Sequence, residues 1–394
     1  MIEQADFLVV GCGPAGGTAA REASRAGVHT VVLEKDSVVG VKRVCAAGLR
    51  PGFCATFDLP RAIVHCDTPR LALFDTQFRE YEVFFGPGHT TTREELDGTI
   101  AELARREGAE IRTSSLFRSI RREDDRTIVE YADLQSGERK RIAARNVFLA
   151  QGSTAKLEES EFAYRDWPEG LVTTLQYRIY LERPAAAVAY QTLEMHYFPT
   201  RDGRMTVAWM FPKRDHLAIG LGVMGKMPGS ELREELDRFT DRVRDRLYPG
   251  IAHTRKTEGH LLYGSEPRPS IGATGGMVGG TAAGLVDATN GEGIFEAAMS
   301  GRFAAEAVAK ARGTAHSVYE TAVKSRFYRR LRHRAHLMRY LEKRPARYAL
   351  LFEQLAKSPR FADILQREDH ERTMLDRLYL YGQALRFAAR AGRA

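Results

Sequence analysis

The stretch ADFLVVGCGPAGGTAAREASRAGVHTVVLEK, residues 5–35, constrains the fold more than any other part of the chain. Apolar Phe7 to Val10 read as a buried strand, the small-residue segment up to Gly27 as a helix, and HTVVLE as a second strand. Gly11, Gly13 and Gly16 stand between strand and helix in the spacing G-x-G-x-x-G. Gly11 permits the tight turn, Gly13 lets backbone approach a pyrophosphate, and Gly16 allows the helix to pack closely on the strand. Ala15 belongs to the same cofactor-facing turn. The helix start offers N–H groups and a favourable dipole to a phosphate, and Glu34 closes the second strand, where a ribose hydroxyl would be held. The predicted fold class is therefore α/β with a Rossmann-type dinucleotide-binding domain.

FAD and NAD both use such a unit, so a second signal has to choose. It lies in MVGGTAAGLVDATNGEGIFEAAMSGRFAAEAVAKA: a strand-like run, a small-residue turn, the turn NGEG, and a helix of small residues suited to close packing. This looks like the late motif of FAD-dependent oxidoreductases, G-D-A-A-G followed by G-E-G, where the chain returns to the first domain. The expected cofactor is FAD, bound non-covalently.

Five segments, spanning residues 6 to about 310, occur in the order found in one family: the fingerprint, KRVCAAGL, TTREELDGTIAELARREGAEI, VAWMFPKRDHLAIGLGV and GGTAAGLVDATNGEGI. Together they resemble the geranylgeranyl reductase family, FAD enzymes of the p-hydroxybenzoate hydroxylase fold type. The resemblance implies that the loop of Cys45, Ala46 and Gly48 lies beside the isoalloxazine, with Cys45 as the catalytic candidate. It implies that Arg93 reaches the cofactor from the start of its helix and that Phe117 makes a backbone contact to adenine. Gly293 and Ile294 correspond to the flavin-facing helix start, and Trp209 and Phe211 to the substrate cavity. Three positions depart from the pattern. Thr281 replaces the aspartate that holds the ribityl chain, Gln151 occupies an acidic position in AQGS, and Val207 replaces a tyrosine. Lys42 and Arg43 precede Cys45 and are placed to stabilise a thiolate or an anionic reduced flavin. The alternative reading makes Cys45 a small buried filler in a turn.

The remaining expectations concern organisation and partners. The FAD-binding domain is expected to be discontinuous, from residues 1–55, 90–156 and 262–312. Residues 56–89 and 157–261 supply a substrate domain built on an antiparallel sheet, because LVTTLQYRIYL, LEMHYF, RMTVAWMF and HLAIGLGV alternate apolar and polar positions. Residues 313–394 read as helices broken at Pro345 and Pro359. The net charge of +8 is concentrated between Lys324 and Arg347, where ten residues are Lys or Arg and only Glu342 is acidic. That run is either a solvated helix face or a site for an anionic membrane or prenyl diphosphate; nucleic acid is not expected. The four cysteines show no metal-binding spacing, so no metal is expected, and neither a secretory signal nor a membrane span is visible. The expected location is cytoplasmic, with the inner membrane face open as a peripheral site.

The reaction implied by the resemblance is saturation of C=C bonds in a prenyl-lipid chain by hydride from reduced flavin. With no second dinucleotide fingerprint, the electrons come from visiting NADPH or from a donor protein such as ferredoxin. Two alternatives stay open: an FAD-dependent monooxygenase of the same fold, and a flavin-poor prenyl-lipid binding protein.

Overall fold

Phe7, Leu8, Val9 and Val10 are all buried, on both faces of the strand Glu3–Val10, as a central strand of a parallel sheet requires. The computed structural model describes residues 2–41, 45–83, 88–155, 157, 160–183, 190–248, 251–310, 313–367 and 371–392. Lys42 and Arg43, expected to act on Cys45, lie outside the described residues. The chain divides into two units, Met1–Arg43 with Arg93–Gly170 and Leu262–Arg332, and Val44–Thr92 with Leu171–Leu261 and His333–Ala394.

In the first unit the sheet runs in the order Gly272–Ala273, Gly276–Val278, Arg139–Leu149, Glu3–Val10, Thr30–Leu33, Glu110–Arg112. The last five of these strands are mutually parallel. The strand Arg126–Asp133 pairs antiparallel with both Arg139–Leu149 and Ser115–Glu123 and makes an antiparallel flank. Three helices, Pro14–Arg25, Arg93–Arg106 and Ile294–Lys310, meet through glycines. A Cβ built on Gly17 would stand 2.8 Å from the Ile100 side chain, and one on Gly301 would collide with the Ala15 carbonyl.

The second unit is built on a seven-stranded sheet, in the order His253–Tyr263, Leu171–Leu181, His216–Met224, Met205–Pro212, Thr192–Pro199, Arg70–Phe74, Glu80–Val83. All four strands read from the sequence are present, and their mutual pairings are antiparallel. Thr192–Pro199 pairs parallel with Arg70–Phe74. One face carries Tyr177, Ile179, Ala208, Met210, Ile219 and Leu221 into a core closed by the helix Gly229–Leu247. That helix was not anticipated, although Leu232, Leu236, Phe239 and Val243 fall at helical spacing and are all buried. The helical C-terminal region is also present. Helices end at Glu342 and Lys357, and the next ones start after Pro345 and at Pro359, because proline tolerates only the first turn of a helix.

The unit boundaries differ from those expected. Residues 44–55 cluster with the second unit, because Gly48–Leu49 pairs with Gly88–Thr90 in a small three-stranded sheet. Within the helical C-terminal region, the residues after Arg332 group with the second unit and the stretch up to Arg332 with the first. There Tyr319 donates to the Val278 carbonyl at 2.7 Å and Tyr328 to the Arg268 carbonyl at 2.7 Å. A π-helical turn, Lys324–Tyr328, sits in this stretch and buries both Phe327 and Tyr328. The basic run is correspondingly mixed. Arg330 is buried in an ion pair with Glu296, whereas Arg332, Arg339 and Lys343 are exposed. Among the described residues no helix is long and apolar enough to cross a membrane, and no side-chain cluster could hold a metal ion.

Candidate functional site

The fingerprint turn is forced by backbone sterics. Gly11 has φ +96°, and a Cβ on it would stand 2.5 Å from the Ala150 carbonyl oxygen. A Cβ on Gly16 would collide with the Gly11 carbonyl, so the helix can begin there only with glycine. Gly13 is different. A Cβ there would meet only the Arg93 Nη2 at 3.2 Å and the Asp97 Oδ2 at 3.9 Å, so the protein backbone leaves that side open. Gly13 is also the N-cap of the helix Pro14–Arg25 and makes no side-chain cap bond. The arrangement is a cradle for an anionic group at a helix N-terminus.

Arg93 opens the helix Arg93–Arg106, and its guanidinium is held by the buried Asp97 at 2.6 Å. That ion pair places a cation at the fingerprint turn. Glu34 is buried, and its carboxylate accepts from the backbone N–H groups of Cys12 at 2.8 Å and Asp36 at 3.0 Å. It therefore fastens the turn as well as closing the strand. Burial, with the Glu34 and Asp97 carboxylates, pushes the Cys12 thiol far up, so Cys12 is a neutral spacer. Phe117 is half-buried on Ser115–Glu123, whose first residue donates to the Glu34 carbonyl at 2.8 Å.

The late motif reaches the same place. Gly280, at φ +58°, would bring a Cβ to 3.1 Å from the Ala15 Cβ and 3.4 Å from the Ala297 Cβ. Its N–H donates to Ser300 Oγ at 3.0 Å. Thr281 follows, half-buried, in the short 3-10 turn Gly280–Ala283. Gly293 precedes the helix Ile294–Lys310 and accepts from the Ala297 N–H at 2.9 Å. Two residues that sequence reasoning missed hold this motif. Buried Asp287 accepts from Thr289 N at 2.9 Å and Thr289 Oγ1 at 2.5 Å, fixing the DATNGEG loop. Buried Arg268 donates to the carbonyls of Ala282 and Phe162, each at 2.7 Å, and lies over the Trp167 ring. Asp287 lies inside GGTAAGLVDATNGEGI, but Arg268 carries no local signal.

An uncapped helix start, an open Gly13 and a fixed arginine suit the pyrophosphate of a dinucleotide. The Gln151 Oε1 adds a shielded acceptor with no hydrogen-bond partner among the described residues, on a residue whose Cα lies against Gly11. These residues fit FAD.

The second unit gathers the other predicted residues. Half-buried Cys45 accepts from the Ala47 N–H at its Sγ, at 3.3 Å, in a turn where Ala47 has φ +48°. A Cβ on Gly48 would stand 2.8 Å from the Phe211 ring. Buried Lys213, two residues further on, donates to the Ala46 carbonyl and at 3.4 Å to the Ala47 carbonyl. Thr90 Oγ1 donates to the Pro212 carbonyl at 2.6 Å, and Thr91 N to the Ala47 carbonyl at 3.0 Å. The cysteine loop and the WMFPK strand are thus one assembly. Trp209 shares a strand face with Phe211 and lies across Gly220, and its Nε1 donates to Gln176 Oε1 at 3.0 Å. Gln176 in turn reaches Glu258, which pairs with Arg178 at 3.0 Å.

Comparison with known proteins gives the class. The family described as FAD binding domain matches residues 6–79. The chain carries an FAD-binding domain. It is 27% identical to a geranylgeranyl diphosphate reductase of Rhodobacter capsulatus over 77% of this chain and 74% of that protein. It is 26% identical to a digeranylgeranylglycerophospholipid reductase of Thermoplasma acidophilum over 84% and 85% of the two chains. The crystal structure of a geranylgeranyl bacteriochlorophyll reductase-like protein from Thermoplasma acidophilum superposes with TM-score 0.73, 22% identity and 96% coverage of both chains. A flavin-dependent brominase, Bmp2, shares the fold at TM-score 0.67 and 17% identity over 91% of this chain and 92% of its own. The domain and the reductase relatives support a flavin-dependent oxidoreductase; the fold by itself also serves halogenation.

Proposed function

We propose that this flavoprotein saturates isolated C=C bonds of a prenyl chain carried by a lipid or a diphosphate. The observation that carries the reading is the assembly in the second unit, where Phe211 backs onto Gly48 and Lys213 holds the carbonyls of Ala46 and Ala47. It ties together the two segments that most resemble the geranylgeranyl reductases. When bound, FAD supplies the hydride, and the protein's task is position and shape.

The division of labour follows from the residues. Gly13, the helix start after it and Arg93 would hold the pyrophosphate, while Thr281 and the start of the helix Ile294–Lys310 would hold the ribityl and ring portions. An isolated alkene offers no carbonyl to hold charge, so its chain must be fixed and water excluded. Trp209 and Phe211, with Gly220 and Ala218 opposite, provide a flat aromatic surface for a prenyl segment. Gln176 fixes the tilt of the Trp209 ring. Cys45 shapes the reducing end, and the electrons arrive from NADPH or a carrier protein. Mass spectrometry of lipid extracted from the purified protein tests this reading: a prenyl chain of mixed saturation is expected. An aromatic ligand that stimulates oxygen uptake would replace the reading with a monooxygenase.

A further inference from the structure

The helix Met374–Ala391 is held by one face only. Asp376, Gln383, Phe387 and Ala391 are buried; Gln354 Nε2 donates to Gln383 Oε1 at 2.7 Å, and Phe387 meets Tyr340 edge-on at 6.1 Å. The start is fixed by a capping box between Thr373 and Asp376. The outward face is apolar instead of polar. Met374, Leu378, Tyr381 and Leu385 recur at helical spacing with Leu375 beside them, and Met374 and Leu375 are 77% and 70% exposed. The other exposed large apolar residues described, Ile2, Val38, Val41, Leu134 and Val318, are scattered along the chain. A stripe this continuous is the mark of an interaction surface.

Charge decides what covers it. From Met374 to Gly392 the exposed charged residues are Arg377, Arg386 and Arg390, the last paired with Glu353 at 2.5 Å. The one carboxylate in the segment, Asp376, is buried in the cap. Exposed Arg339, Lys343 and Arg344 add cations to the same unit. A second copy of the stripe would bring arginine against arginine. A layer of anionic headgroups over acyl chains satisfies both the apolar residues and the cations beside them.

We propose that the helix Met374–Ala391 lies in the headgroup region of an anionic bilayer, with Met374, Leu378, Tyr381 and Leu385 inserted and Arg377 and Arg386 at the phosphates. The anchor is thus the terminal helix, with the basic run of 324–347 contributing only long-range attraction. The assignment stands whether or not the chain reduces prenyl lipids.

The test is co-sedimentation of the full chain with equimolar phosphatidylcholine–phosphatidylglycerol vesicles and with phosphatidylcholine alone. The parent should bind the mixed vesicles and keep part of that binding in high salt, because insertion of apolar side chains is not screened. A Leu378→Asp, Leu385→Asp double variant should lose binding by roughly tenfold or more, since each change removes an inserted chain and adds a repelled charge. Its melting temperature should match the parent's, because both side chains are exposed. Unchanged vesicle binding in that variant would overturn the proposal. So would light scattering that finds a lipid-free dimer in the parent and a monomer in the variant, which would give the stripe to a second copy.

Discussion

The glycine cradle and the cysteine-loop assembly are built by opposite means. The cradle is made of absences. Gly11, Gly16, Gly280 and Gly301 are places where a single carbon would strike backbone or a neighbouring Cβ, so the geometry is set by what the side chains lack. The assembly in the second unit is made of presences. Buried Lys213 and Thr90 make hydrogen bonds across more than a hundred residues of sequence, Thr91 bonds Ala47 nearer by, and the Phe211 ring packs on Gly48. Tolerance should differ accordingly: the cradle fails by overpacking, the assembly by leaving carbonyls without donors.

The largest effect is expected inside the cradle. Gly16→Val forces a side chain into the Gly11 carbonyl and should destabilise the first unit by about 3 kcal/mol or more, with loss of flavin. Gly13→Val meets only the end of the Arg93 side chain, so the fold should survive while the yellow colour disappears. Thermal melting alongside flavin absorbance separates the two. Equal melting of both variants would erase the distinction between a glycine required by the fold and one required by the ligand.

Lys213→Met comes next. It removes the donor to Ala46 in a buried place, at roughly 1–3 kcal/mol for an acceptor left without a donor, while Ala47 keeps its bond from the Thr91 N–H. FAD content should hold, because the cradle residues belong to the first unit, whereas prenyl reduction should collapse. Lys213→Arg should not rescue, since the guanidinium is larger and planar. A variant that loses flavin and turnover together would show that the two regions are not separable in this way.

Acid should act on the second unit through His216, just beyond the lysine. Burial depresses its imidazole to about 4, despite the Asp215 carboxylate bonded to Nδ1, with Lys213 and Arg178 adding to the depression. The Tyr180 ring packs beside it. A depressed folded value means the unfolded chain takes the proton first. Stability is therefore complete above about pH 6.5 and declines as pH falls toward 4, by up to about 3 kcal/mol. Urea unfolding at neutral and mildly acidic pH should show the decline, and His216→Asn should flatten it. A slope unchanged by that substitution would remove His216 as the cause.

The smallest effect is expected at Thr281. Thr281→Asp should hold or slightly tighten FAD, because a charged acceptor strengthens the same bond. Looser flavin would mean that the turn around Gly280 has been rebuilt for threonine.

These contrasts also explain what the sequence could disclose. The cradle was legible because steric exclusion by glycine leaves a fixed spacing between a strand and a helix, and Arg93 lay inside a recognisable segment. The sheet strands were legible from their alternation. The helix Gly229–Leu247 carries apolar residues at helical spacing, but it starts without a side-chain cap and follows a run of alternating strands. Lys213 stands in the WMFPK segment, yet nothing local says that its amine turns inward to residues 46 and 47. The pairing of the cysteine loop with His89 and Thr90 is hidden for the same reason. Arg268 and its carbonyl partners are likewise distant in sequence, and no pattern of neighbours announces them.

The central claim is that this flavoprotein reduces prenyl double bonds and that the cysteine loop governs the step. Anaerobic single turnover tests it most directly, with photoreduced protein mixed with geranylgeranyl diphosphate, flavin absorbance followed in time, and product mass measured at the end. The parent should reoxidise its flavin in step with a gain of two hydrogens per saturated bond. Cys45→Ala should retain flavin and fold but reoxidise much more slowly, while Cys54→Ala should match the parent. Substrate recovered at unchanged mass from the parent would contradict the reductase reading, and full-speed turnover by Cys45→Ala would leave that cysteine as a filler of its turn.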